Sequence, residues 1–134
     1  MVMNLSSVKP KIRAVTFDLW ETLLLERNGW NLRRTNARCK SLARALNELG
    51  IEISAEQFAF AFKKMALWLA SFWDTNKDVT HLDQVRFIIK TASRGAIVIK
   101  EEWIDQLSSA YVSAFFEVPP YLNPDADKVL HALK

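Results

Sequence analysis

"IRAVTFDLWETLLL", residues 12–25, is the stretch on which the fold prediction depends. Its first part, 12–17, combines β-branched and aromatic side chains and predicts a short strand. That strand ends in a single carboxylate, Asp18. Because an ionised side chain is costly to bury, a carboxylate placed directly after a buried strand indicates a specific use. The sequence therefore makes Asp18 a candidate functional residue.

The composition is that of a globular, helix-rich chain. It has 134 residues, of which 50% are hydrophobic and 25% charged, with only three Gly and four Pro. This length suits one ordinary domain, and so few turn residues disfavour a β-sandwich. The single cysteine, Cys39, excludes an internal disulfide. We expect a cytoplasmic protein without a membrane partner, because neither a secretory signal nor an apolar run of about 20 residues is present. The net charge of +3 permits an anionic ligand.

Helical periodicity and capping residues predict four helices after the loop signal at Asn28-Gly29, over about 32–49, 54–73, 80–95 and 100–116. Ser54 and Gln57 form a capping box for the second helix, and Thr80 caps the third. The expected buried faces are Leu32, Cys39, Leu42, Leu46 and Leu49; Phe58, Phe62, Met65, Leu69 and Phe72; and Leu82, Val85, Ile88 and Ile89. The second helix also carries Phe60, Leu67 and Trp68 off its stripe, which is typical of a central helix or of one that docks against a second body.

The end of the chain predicts a return to another structural layer. Val118-Pro119-Pro120 is a clear break, after which Asn123 caps and Pro124 opens a last helix over 125–134. Only one strand is predicted, over 12–17, so no second predicted strand can form backbone hydrogen bonds with it. Since unpaired backbone groups of a buried strand are costly, we expect another segment or another chain to pair with it.

The segment "AVTFDLWETLL", residues 14–24, resembles the first motif of the haloacid dehalogenase-like hydrolases. In that family a hydrophobic strand ends in a nucleophilic Asp, which is often followed by a second Asp two positions later and then by Gly-Thr-Leu. Asp18 matches the nucleophile, and Thr22-Leu23 match the Thr-Leu pair. The four predicted helices resemble the family's inserted helical cap, and "VPPYLNPDADKVLHALK", 118–134, is similar to the stretch that returns to the core.

This resemblance implies an α/β fold with a Rossmann-like core, present here in truncated and mostly helical form. Residues 1–30 would hold the first core strand and the nucleophile loop, 31–117 a four-helix cap, and 118–134 the return linker with the first helix of an incomplete core. The family's later motifs, a Ser or Thr, a Lys and an acidic pair, cannot be placed in this chain. We therefore expect the amino-terminal part of an enzyme, weak or inactive alone, whose core is completed by the missing carboxyl-terminal segment or another chain.

The resemblance also implies the chemistry, which is phosphoryl or carbon–halogen hydrolysis of a small phosphorylated or halogenated substrate. Asp18 would be the nucleophile, and Thr22 would orient the loop as the second catalytic residue. Mg²⁺ would be held by the Asp18 carboxylate and the backbone carbonyl of Trp20, oxygen ligands that this ion prefers. Trp20, Trp30 and Arg33 are the expected substrate-binding residues, the last two because they fall at the junction of loop and cap.

Two positions depart from the family pattern. Trp20 stands where phosphatases carry the second Asp, and an indole cannot shuttle a proton. Loss of a general acid or base typically costs about 10²- to 10⁴-fold in rate, which favours the dehalogenase branch, where an aromatic residue occupies this position. Glu21 stands at the usual Gly, where it is either a substitute carboxylate or a solvated turn residue.

Two other classes of function remain open at this point. The chain could be a non-catalytic helical module that binds a protein partner through its second helix and its unpaired strand. It could also be a small basic domain that binds nucleic acid through Arg33, Arg34, Arg38, Lys40 and Arg44, which we expect less. Three of these cations, Arg33, Lys40 and Arg44, share the face of the first helix opposite its leucine seam, where a solvated basic face is the simpler interpretation. His81 and His131 lack partners at metal spacing, so we expect both at the surface, and Cys39 lies on the leucine seam, so we expect it in the core.

Overall fold

The computed structural model of the chain describes residues 13–75 and 77–133. This part of the chain is mostly helical, as the composition predicts. Its elements are β1 (Leu24–Leu25), α1 (Trp30–Glu48), α2 (Ala55–Trp73), α3 (His81–Ala92), a 3₁₀ turn (Glu101–Trp103), α4 (Ile104–Glu117), β2 (Tyr121–Leu122) and α5 (Ala126–Ala132). None of these helices combines the length and the apolar character that crossing a membrane requires.

The chain divides into two compact units. The first, here the helical unit, is Arg27–Pro119 and contains α1 to α4. The second, here the terminal unit, combines Met1–Glu26 with Pro120–Lys134 and, among its described residues, contains β1, β2 and α5. Each unit is considered separately below.

The helical unit buries the apolar faces that the periodicity predicts. Helix α1 packs mainly against α4, and α2 packs mainly against α3, with α3 also touching α4. These helices share one hydrophobic core. Its largest fully buried side chains are Leu42, Leu46, Phe58, Val85, Ile88, Ile89, Leu107 and Tyr111. Leu32 is an exception, because 66% of its surface is exposed. It lies in the first turn of α1, whereas the core cluster follows that helix only from Cys39 to Leu49.

Local capping explains where α2 and α3 begin. The Gln57 amide donates to the Ser54 hydroxyl at 3.2 Å, and the Ser54 amide donates to the Gln57 side-chain oxygen at 2.8 Å, which completes the predicted capping box. The Thr80 hydroxyl accepts from the Asp83 amide at 3.1 Å. Each cap satisfies donors that a helix start otherwise leaves open.

A polar cluster links α1, α3 and α4 inside the helical unit. The buried Tyr111 hydroxyl donates to the Gln84 side-chain oxygen at 2.7 Å. The Arg38 guanidinium lies 4.5 Å from the centre of the Tyr111 ring, and the Arg34 guanidinium lies 4.8 Å from that of Phe115. Burial raises the pKa of Tyr111, and the positive charge of Arg38 opposes that rise. Aromatic faces thus hold two of the cations of α1 within the fold.

In the terminal unit, β1 and β2 pair in antiparallel fashion, with Leu24 opposite Leu122 and Leu25 opposite Tyr121. The strand predicted over 12–17 is not formed by residues 13–17, which lie outside any strand, and Ile12 lies outside the described residues. A strand needs a hydrogen-bonding neighbour, and β2 pairs with 24–25 instead. The last helix begins at Ala126 rather than at Asp125, and Lys134 lies outside the described residues.

Candidate functional site

The chain that follows Asp18 closes into a compact hydrogen-bonded loop. The Leu19 carbonyl accepts from two amides, those of Leu23 at 3.1 Å and Leu24 at 2.8 Å. The Glu21 amide donates to the Leu24 carbonyl at 2.8 Å, which completes a bridge between Trp20 and Leu24. Because these bonds fix the backbone on both sides of residue 20, the loop is a defined support for the residues at its start.

Glu21 has the backbone conformation of a glycine. Its φ of 54° lies in the left-handed region, which costs a residue with a side chain about 1–2 kcal/mol. The family pattern that this segment resembles has Gly at this position. The side chain of Glu21 is exposed, in agreement with a solvated turn residue.

We expect Glu21→Gly to raise the free energy of unfolding by up to about 1 kcal/mol. Glycine removes the strain of the left-handed backbone, and the greater conformational entropy of glycine in the unfolded chain offsets part of this stabilisation. Chemical denaturation of the two proteins measures the difference. Glu21→Ala is the matched control, because it removes the carboxylate but keeps the strain, and it should leave stability within about 0.5 kcal/mol. Equal effects of the two variants would mean that the backbone strain at this position is negligible.

Asn123 fastens the loop from the far end of the sequence. Its backbone amide donates to the Leu23 carbonyl and its side-chain amide donates to the Thr22 carbonyl, each at 2.8 Å. Its side-chain oxygen accepts from the Asp125 amide at 3.1 Å. The sequence predicts Asn123 only as a helix cap, and the residue instead joins the loop to the start of α5. Asn123 is a positioning residue that sequence reasoning missed.

Thr22 takes part in the hydrogen bonding of the loop through its backbone. Its carbonyl accepts from the Asn123 side-chain amide. Its side chain is half-buried and its hydroxyl has no hydrogen-bond partner among residues 13–75 and 77–133. The loop is therefore oriented by main-chain bonds and by Asn123.

Asp18 is exposed at the start of this loop, and its carboxylate forms no ion pair or hydrogen bond with the residues that the structure describes. Trp20 is 42% exposed two positions later. Within the described ranges, no three His, Cys, Asp or Glu side chains gather in a way that could hold a metal ion. The Asp18 carboxylate and the carbonyl of Trp20 are the two oxygen ligands that the resemblance implies, and they would be the groups to hold the ion. This number fits Mg²⁺, which commonly keeps several waters and binds one or two carboxylates.

Trp30 and Arg33 lie at the amino-terminal end of α1, in the helical unit. Trp30 is the first residue of the helix and half-buried, with the Arg27 guanidinium 5.9 Å from its ring centre. Arg33 is exposed one turn further on. Gly29 offers no side-chain cap, and the first turn holds no acidic residue. The first amide of the helix, that of Trp30, donates to the Arg27 carbonyl at 3.0 Å, so the amino-terminal end of α1 keeps only part of the positive potential that open amides supply.

The five cations of α1 that could bind nucleic acid are not all at its surface. Arg34 is only 8% exposed, and one of its guanidinium nitrogens donates to the Val118 carbonyl at 3.3 Å. Arg38 is stacked on Tyr111. Three cations, Arg33, Lys40 and Arg44, remain exposed. The face predicted opposite the leucine seam is thus exposed. Because the other two cations serve the fold, the set of five is a weaker candidate for binding nucleic acid than the sequence alone indicates.

The remaining titratable candidates occupy ordinary structural positions. Burial raises the pKa of the Cys39 thiol, a change opposite to the one that activates a nucleophilic cysteine, and the residue packs against the core. His131 is exposed on α5, where its Nδ1 lies 3.2 Å from the Asp127 carboxylate. His81 is exposed at the first position of α3.

Comparison of the chain with models of protein families, with curated proteins and with solved structures finds no match.

Proposed function

We propose that this chain is the amino-terminal part of a haloacid dehalogenase-like hydrolase that acts on a small phosphorylated or halogenated substrate. The observation that carries the proposal is the loop after Asp18. It is closed by main-chain hydrogen bonds and takes a left-handed conformation at Glu21, the position at which the resembling motif has Gly. The match to the family motif depends on a few residue identities only. The left-handed backbone at Glu21 is a separate observation, and it supports the same motif.

In the proposed reaction, a carboxylate oxygen of Asp18 attacks the phosphorus or the halogen-bearing carbon of the substrate. A bond from Asp18 to that atom forms, and the bond to the leaving group breaks. Water then hydrolyses the aspartyl phosphate or ester and restores the carboxylate. Because Trp20 cannot donate a proton from a carboxyl group, a leaving group that departs as a stable anion, such as halide, suits this loop best.

The other residues of the loop have positioning roles in this proposal. Asn123 and the carbonyl of Thr22 hold the loop that carries Asp18, and Trp20 offers a partly exposed apolar ring for the substrate body. For Trp30 and Arg33, at the start of α1 in the helical unit, substrate binding stays a prediction of the sequence. In the phosphatase branch, Mg²⁺ held by Asp18 and the Trp20 carbonyl would neutralise the phosphoryl oxygens.

The terminal unit exposes many large apolar side chains, which suits contact with a partner segment. The large apolar side chains Val15, Phe17, Leu19, Trp20, Tyr121, Leu122, Val129, Leu130 and Leu133 are each at least 37% exposed. Clusters of exposed apolar residues mark interaction sites in soluble proteins. We infer that another polypeptide segment, in the same or in another chain, covers this unit and completes the core that the family requires.

The experiment is a hydrolysis assay on the longest natural product that contains this sequence. Release of nitrophenol from p-nitrophenyl phosphate in the presence of Mg²⁺ tests the phosphatase branch, and release of chloride from chloroacetate tests the dehalogenase branch. We expect activity in at least one assay, with the chain of residues 1–134 alone much weaker. Absence of activity in both assays from the folded longest product would contradict the proposal.

A non-catalytic interaction module is the second candidate, because α2 carries several large apolar side chains that are exposed. Phe60, Leu67 and Trp73 are 54%, 66% and 63% exposed on this helix. Such side chains suit a protein partner. An oligomer or heterocomplex in solution, without hydrolase activity in the longest product, would favour this alternative.

A further inference from the structure

The helical unit contains an open cleft between α2 and α3 that the proposed function does not use. Its volume is about 430 Å³, within the range of small-molecule sites. The aromatic wall is made by Trp68, Phe72 and Phe87. Trp68 and Phe87 are stacked with ring centres 4.5 Å apart and planes at 12°, and Phe72 meets Trp68 edge-on at 5.0 Å. All three side chains are half-buried, so their rings are fixed yet reachable.

The acidic side chains at the edge of the cleft form hydrogen bonds within the fold, whereas the basic side chains are more available to a ligand. Asp78 accepts from the Val79 amide at 2.8 Å, and Asp83 accepts from the Thr80 hydroxyl at 2.6 Å, so both carboxylates serve the start of α3. The Lys90 ammonium group is exposed and forms no ion pair or hydrogen bond with the described residues. Arg86, one turn before Lys90 on the same helix face, forms an exposed ion pair with Glu101 at 3.6 Å.

We propose that this cleft binds a small aromatic anion, with the ring against the Trp68–Phe87 stack and the charged group at Arg86 and Lys90. Fixed aromatic rings recognise a flat apolar body by offset stacking. Lys90 lies toward the carboxyl-terminal end of α3, about two turns from Asp83 at the start of the helix, and Arg86 lies between them, about one turn from each. An anion therefore has a favoured end, and a cation at the same position would be repelled. None of these residues belongs to the Asp18 loop, so this proposal and the hydrolase proposal fail independently.

The test is a titration of the ¹⁵N-labelled chain with three probes of one shape and different charge: 2-naphthoate, 2-naphthylmethanol and 2-naphthylmethylammonium. We expect 2-naphthoate to bind most tightly, with a Kd on the order of 1 mM for a ligand of this size, and to shift amide signals within 68–90. Lys90→Glu should weaken 2-naphthoate about tenfold, and Lys90→Ala about threefold.

Lys63→Glu is the matched control, because Lys63 is also an exposed lysine and does not line this cleft. It should leave the Kd of 2-naphthoate within about twofold. The proposal is overturned if the ammonium probe binds as tightly as the carboxylate, if the shifts lie outside 68–90, if Lys90→Glu and Lys63→Glu weaken 2-naphthoate equally, or if no probe shifts the spectrum.

Discussion

Asp18→Asn is expected to reduce turnover by at least about 10³-fold in whichever assay, p-nitrophenyl phosphate or chloroacetate, the longest product shows activity. An amide oxygen is a far poorer nucleophile than a carboxylate oxygen, and removal of a nucleophile typically costs several orders of magnitude in rate. Asp18 is exposed and binds no other described side chain, so the substitution should leave the fold unchanged. The loss should therefore appear in kcat, with the thermal transition of the protein preserved.

The control for this variant is Asp74→Asn. Asp74 is likewise an exposed aspartate, placed at the end of α2, and it has no proposed part in the reaction. Its substitution should leave kcat within about twofold. If Asp18→Asn retains activity comparable to that of Asp74→Asn, Asp18 is not the nucleophile and the resemblance to the hydrolase motif has no catalytic meaning here.

A second measurement distinguishes a nucleophilic role of Asp18 from a purely electrostatic one. In the phosphatase branch, acid quenching during turnover should trap phosphate on the wild-type chain and none on Asp18→Asn. Unchanged labelling in the variant would assign the covalent step to another residue.

The helices were predictable from the sequence because their determinants are local. The capping box of Ser54 and Gln57 spans three positions, and the two reciprocal bonds that it predicts are both present. Thr80 likewise caps α3 through Asp83, three positions later. The periodicity correctly placed residues such as Leu46 and Ile88 in the core. Information of this kind lies within one or two turns of a helix.

The features that the sequence did not predict depend on distant residues. Asn123 donates to Thr22 across 101 positions, and no local pattern predicts that contact. A strand over 12–17 requires a neighbouring strand, and the described segments provide none for residues 13–17. Glu21 illustrates a third limit, because a left-handed residue other than Gly, Asn or Asp is not expected from propensity. Its conformation follows from closure of the loop.

Leu46→Ala is expected to lower the free energy of unfolding by about 3 kcal/mol. Leu46 is fully buried in the core of the helical unit, and removal of its branched end leaves a cavity between packed helices. Leu32→Ala is a closely matched control, since the same substitution is made on the same helix, Leu and Ala have similar helix propensity, and Leu32 is 66% exposed. The control should change stability by no more than about 0.5 kcal/mol, as measured by urea denaturation. A loss at Leu32 as large as that at Leu46 would show that both leucines are buried in solution, and that the first turn of α1 is covered by a surface that this chain acquires through association.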